Sequence, residues 1–136
     1  MNTRLSRLSF VTAAVLAVGS VFALAGNNVE RAFAAATTQQ KVEARQQLNQ
    51  VISLLRSVDT AYASGNATEA QTRFEQAKSA WNHVAPAISA REAREAQLLF
   101  DSLGTKLQKG APPADVKKTV SGMLEELNED IAGELR

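Results

Sequence analysis

The chain has 136 residues, 45% of them hydrophobic and 21% charged, with seven Gly, three Pro and no cysteine. That is a one-domain length and an ordinary globular mixture, and it excludes disulfides, thiolate metal sites and a lipoprotein attachment cysteine. The formal charge of +1 is far from the clustered basic excess that a nucleic-acid surface needs.

Residues 1–36 read as a secretory signal peptide. Arg4 and Arg7 make a basic start, and Phe10–Gly26 is an uncharged apolar run. Small-residue cleavage sites follow at Ala23-Leu24-Ala25 and again at Ala32-Phe33-Ala34 or Ala34-Ala35-Ala36. The second region leaves a new N-terminus just before Thr37, where a polar helix begins. An uncleaved anchor is the competing reading, because 17 apolar residues sit at the lower edge of the ~17–25 that span a bilayer. The Ala-rich character of the run favours cleavage. Under both readings the chain is exported, in a bacterium to the periplasm or outside. Without Arg4, Arg7, Arg31 and Glu30, 12 basic and 13 acidic residues remain, a net charge of −1. Residues 37–136 are then the mature domain. They are enough for one core that must hold by packing alone, and no membrane insertion is expected of them.

From Thr37 onward the apolar spacing is helical and nothing alternates as a strand would. A first helix is predicted from about Thr38 to Ser64, with Leu48, Val51, Ile52, Leu55, Val58 and Tyr62 on one stripe. Gly65 ends it, and Asn66 with Glu69 resembles a capping box that opens the second. The second helix turns Ala67, Ala70, Phe74, Ala77, Trp81, Val84 and Ala85 inward until Pro86 breaks it. Ser89 and Glu92 form another capping box, and the third helix carries Ala93, Ala96, Leu99, Phe100, Leu103 and Leu107. Gly110 closes that helix, and Pro112-Pro113 makes a stiff turn. The fourth helix buries Val116, Val120, Met123, Leu124, Leu127, Ile131 and Leu135. Short links between four helices predict an all-α, up-down four-helix bundle. Tyr62–Asn66 with Ala70, Phe74 and Ala77 is similar to one helix of a tetratricopeptide repeat, but a single unit cannot make a solenoid.

Few residues suggest chemistry. His83, the only histidine, falls nearly opposite the Phe74–Trp81 stripe and should face solvent. A haem pair with Met123 would require it to turn inward. Asp59 projects within the apolar arc of the first helix, so it needs a cation, a donor or a metal. Pairing with Arg56 or Arg94 is the plain expectation, and a functional carboxylate the alternative. Glu125, Glu126, Glu129 and Asp130 crowd the end of the fourth helix, against its dipole. Glu125 and Glu129, one turn apart, have a spacing that suits a hard cation or a basic partner, although such ions prefer six or more oxygens from several segments. A solvated face is the competing account. Glu92 and Glu95 beside Arg91 and Arg94 read as an exposed charge lattice, and Leu98 projects outward. With no phosphate-cradling glycine loop and no nucleophile beside the histidine, the chain reads as not an enzyme.

Tyr62-Ala-Ser-Gly-Asn66, the Ala70, Phe74, Ala77 and Trp81 that follow, Leu99-Phe100 with Leu103, and Lys109-Gly-Ala-Pro-Pro-Ala-Asp-Val116 together carry a resemblance. This segment, about half the chain, resembles the exported N-terminal helical region of bacterial high-affinity iron permeases. The residues that carry it are chiefly helix-packing and turn residues. Where that family commonly has a Phe-Glu pair after the aromatic, this chain has Asn82-His83-Val84-Ala85-Pro86. The resemblance implies a free-standing relative that assists metal uptake outside the membrane, with a permease or another exported protein as partner.

The leading expectation is therefore an exported, non-enzymatic accessory protein of metal (iron) uptake or homeostasis. It would act by holding a cation, iron or copper, or a partner, and Asp59, His83, Glu125 and Glu129 are the metal-site candidates. A purely structural or protein-interaction bundle with no ligand is the alternative, and a haem carrier the third reading.

Overall fold

The computed structural model describes residues 36–136, so the predicted leader lies outside the described residues. The described chain is all-helical. Helix α1 spans Thr38–Ala63, α2 Ala67–Val84, α3 Ala90–Gln108 and α4 Pro113–Glu126. A 3₁₀ turn, Ala85–Ala87, follows α2 at Pro86, where the missing N–H and the ring forbid a further α-turn. Helix α4 runs on through a π turn, Leu127–Ile131, into a last α turn, Ala132–Glu134.

The helix ends obey local chemistry. Thr37 and Gln40 form a full capping box at the start of α1, with Gln40 N–H donating to Thr37 Oγ1 (3.2 Å) and Thr37 N–H to Gln40 Oε1 (2.8 Å). At α2, Asn66 accepts from Glu69 N–H at 3.1 Å, while its own amide donates to the Glu69 carboxylate at 2.9 Å. Gly65 (φ 83°) and Gly110 (φ 64°) take the left-handed conformation just past α1 and α3, which costs a residue with a Cβ about 1–2 kcal/mol. The Ser89 hydroxyl caps α3 by accepting from Glu92 N–H at 3.3 Å. The return half of that expected capping box is made by another residue: Ser89 N–H donates to Glu134 Oε2 at 2.7 Å. Folding has brought a carboxylate from 45 residues away to the place of the local one.

One core gathers the inward stripes of all four helices, and among the described residues no charged or polar residue is buried. Helices α1 and α2 make the closest approach, α4 packs on both α1 and α3, and α2 meets α3. Small buried residues account for the first contact: Ala44 and Ala61 on α1, and Ala70, Ala77 and Ala80 on α2. Aromatic rings fill the gap between α2 and α3. Phe100 stacks at a tilt against Trp81 (5.7 Å between centroids) and Phe74 (6.2 Å), in the spacing that such pairs favour. A Cβ on Gly104 would lie 3.0 Å from Phe74 Cζ, so a larger residue at this point of α3 would have to push the ring aside.

The π turn has a cause in the apolar spacing. Met123, Leu127, Ile131 and Leu135 are all buried, three successive steps of four residues. On a helix with 3.6 residues per turn each such step slips by about 40°, which would carry Leu135 off the core. The wider turn, in which Ala132 N–H reaches Leu127 O, takes up the slip. Polar ties then hold the ends. Lys41 Nζ donates to Glu134 O at 3.2 Å and the Arg45 guanidinium to Leu135 O, placing cations at a helix C-terminus where the dipole favours them. Near the opposite ends of these helices Tyr62 OH donates to Ala111 O at 2.6 Å.

Candidate functional site

The four residues expected from the sequence do not assemble. Asp59 is half-buried on α1 and forms no ion pair with Arg56 or Arg94. His83 is exposed in the last turn of α2, as the helix phase predicts. It borders two surface recesses along with Gln47. Glu125 and Glu129 are exposed on α4 and its π turn. Leu98 is 64% exposed, again as the phase predicts.

A different set of carboxylates does converge. Glu92 and Glu95 on α3 and Glu126 at the end of α4 each bring an oxygen within 4.8 Å of the others. Among the described residues no other group of three acidic, histidine or cysteine side chains comes so close. Glu92 is free to turn to this side because Glu134, not Glu92, serves the Ser89 N–H. Glu95 lies nearly one turn on from Glu92. Glu126 stands at the threshold of the π turn.

The surroundings are apolar beneath and charged above. Ala96, Leu99, Phe100, Met123 and Leu127 line the small space under Glu126. Burial against them raises the Glu126 pKa above the ordinary glutamate value, and the charges of Asp130, Glu92 and Glu95 raise it further against the opposing pull of Arg91. Arg91 is the one cation paired with the cluster among the described residues. Its Nε lies 3.0 Å from Glu95 Oε1 and 3.9 Å from Glu92 Oε1, and the hydrogen bond to Glu95 holds the guanidinium above its usual pKa. The fixed negative charge of three carboxylates is therefore only partly balanced. Such a group can take a hard cation, with up to six oxygens if each carboxylate binds through both, or the cationic side chain of a partner.

Sequence reasoning read Glu92 and Glu95 as an exposed charge lattice and Glu126 as one of an acidic run. The i, i+3 pair Glu92/Glu95 was visible in the chain, but its meeting with Glu126 depends on how α3 lies against α4. Among the described residues no helix is long and apolar enough to cross a membrane. The chain matches no protein-family model, no curated protein and no solved structure.

Proposed function

We propose that this chain is an exported, non-enzymatic accessory protein, folded as an up-down four-helix bundle behind a signal peptide, that serves metal uptake or homeostasis. It holds a hard cation on Glu92, Glu95 and Glu126. The observation that carries this reading is the convergence of these three carboxylates from two helices within 4.8 Å. Their mutual repulsion works against folding unless a cation or a cationic partner relieves it. Export to the periplasm or outside follows from the leader, and the iron-permease resemblance of residues 62–127 points to iron and to a permease or exported protein as partner. Ferric iron suits a carboxylate site, while copper would favour the imidazole of His83.

The test is calorimetric titration of the purified protein with ferric, ferrous, cupric, calcium and magnesium ions. Saturable binding of a hard cation, weakened at least about tenfold by Glu126→Gln and unaffected by Glu125→Gln with Glu129→Gln, is the expected result. Binding that instead fails in Asp59→Asn or His83→Ala moves the site to those residues. An absence of saturable binding by any of the five ions would leave the bundle as a protein-interaction module without a ligand.

A further inference from the structure

Three surface recesses follow one another along the outer seam between α1 and α2. The first and second share Gln47 and His83, and the second and third share Arg73. The third has a volume of about 420 Å³, and its wall includes Ser53, Arg56, Ser57 and Thr60 from α1 and Glu69 and Arg73 from α2. Two guanidiniums from different helices thus border one concavity.

These cations are available. Arg56 has no ion-pair partner among the described residues. Among the described residues the only carboxylate paired with Arg73 is Glu69 at 3.5 Å, with both side chains more than 40% exposed, a long contact worth little in water. The hydroxyls of Ser57 and Thr60 donate to the Ser53 and Arg56 carbonyls at 3.1 and 3.0 Å. The donors left to serve a ligand are the two guanidiniums and the Ser53 hydroxyl, which has no protein partner among the described residues. Glu69 is the one carboxylate in the wall of the recess, with Asp59 three residues from Arg56 on α1, so the two guanidiniums outnumber the acidic groups that line it.

We infer that this recess is a binding site for a compact oxyanion, the phosphate or carboxylate group of a small ligand, gripped by Arg56 and Arg73 from two rigid helices. The planar forks of two arginines match the oxygens of such a group, and the recess is of the size that small ligands occupy. Glu69 acts as the internal competitor, holding Arg73 until the ligand displaces it. The site is independent of the Glu92–Glu95–Glu126 cluster and of the metal reading.

Arginine side-chain NMR of the purified protein, titrated with inorganic phosphate and separately with citrate, tests this. Saturating shifts of the Arg56 and Arg73 Nε–H signals, with a dissociation constant at or below about 1 mM, are expected. Arg56→Gln and Arg73→Gln should each weaken binding about tenfold or more, Glu69→Gln should tighten it, and Glu126→Gln should leave it unchanged. A response to phosphate alone identifies a phosphoryl ligand, and a response to citrate alone a carboxylate. Shifts that stay linear to about 20 mM of both anions, or that survive both arginine substitutions, would overturn the inference.

Discussion

The two helical hairpins of this chain are built differently, inside and out. The α1–α2 hairpin closes on small residues, and between Gln46 and Leu55 its surface holds amides and hydroxyls but no charge. The α3–α4 hairpin is charge-dense: α3 carries Arg91, Glu92, Arg94 and Glu95, α4 and its π turn carry Glu125, Glu126, Glu129 and Asp130, and Glu92 and Glu95 meet Glu126. Phe100, from the second hairpin, reaches Phe74 and Trp81 of the first. The lesson is a division of labour. Close backbone packing of two helices needs small side chains at the seam and leaves the outer groove open for Arg56 and Arg73. The wider α2–α3 contact depends on large rings, and the charged hairpin tolerates repulsion because the core supplies the stability.

Breaking the aromatic contact should have the largest effect. Phe100→Ala or Trp81→Ala removes a ring that is at most 2% exposed and should cost about 3–5 kcal/mol in chemical denaturation. A loss below about 1 kcal/mol would mean the two hairpins are not joined through these rings. A smaller loss is expected at the small-residue seam. Ala77 is fully buried on α2, so Ala77→Leu should overpack the core and cost about 1–3 kcal/mol. A neutral outcome would show slack where close packing is inferred.

The smallest effect sharpens the charged half. Glu126→Gln should raise stability at neutral pH by about 0.2–0.5 kcal/mol, the scale of a like-charge pair one turn apart on a helix. The sign follows from the raised pKa: the folded chain holds the Glu126 proton more tightly than the unfolded chain. The stability this contributes is full below the unfolded value and is lost as pH rises through the folded one. In melts recorded from pH 4 upward, the parent should lose this increment just above the ordinary glutamate range and the Gln variant should not. An identical pH profile in both proteins would remove the electrostatic account of the cluster.

Much of the helical plan was legible in the chain. Gly65, Asn66, Pro86, Ser89, Gly110 and Pro112-Pro113 marked boundaries that the structure keeps to within a residue or two, because caps and prolines act through their own backbone. Most of each buried stripe followed from helical spacing, Ala67 at the exposed start of α2 being an exception, and so did the outward directions of His83 and Leu98. The Met123–Leu127–Ile131–Leu135 steps contained the hint of the π turn, since no regular α-helix keeps three four-residue steps on one face.

Other features needed the fold. Glu134 displaces Glu92 as the partner of the Ser89 N–H, and that frees Glu92 to meet Glu95 and Glu126. Asp59, marked out by its place on an apolar arc, ends half-exposed near the close of α1 without an ion pair. Arg56 and Arg73 share a recess only because small residues bring α1 and α2 together. Local interactions over three or four residues set where helices start, stop and turn their faces, and those the sequence alone determined. Which side chains meet across 17 to 45 residues depends on how the packed helices are aligned, and only the tertiary structure decided that.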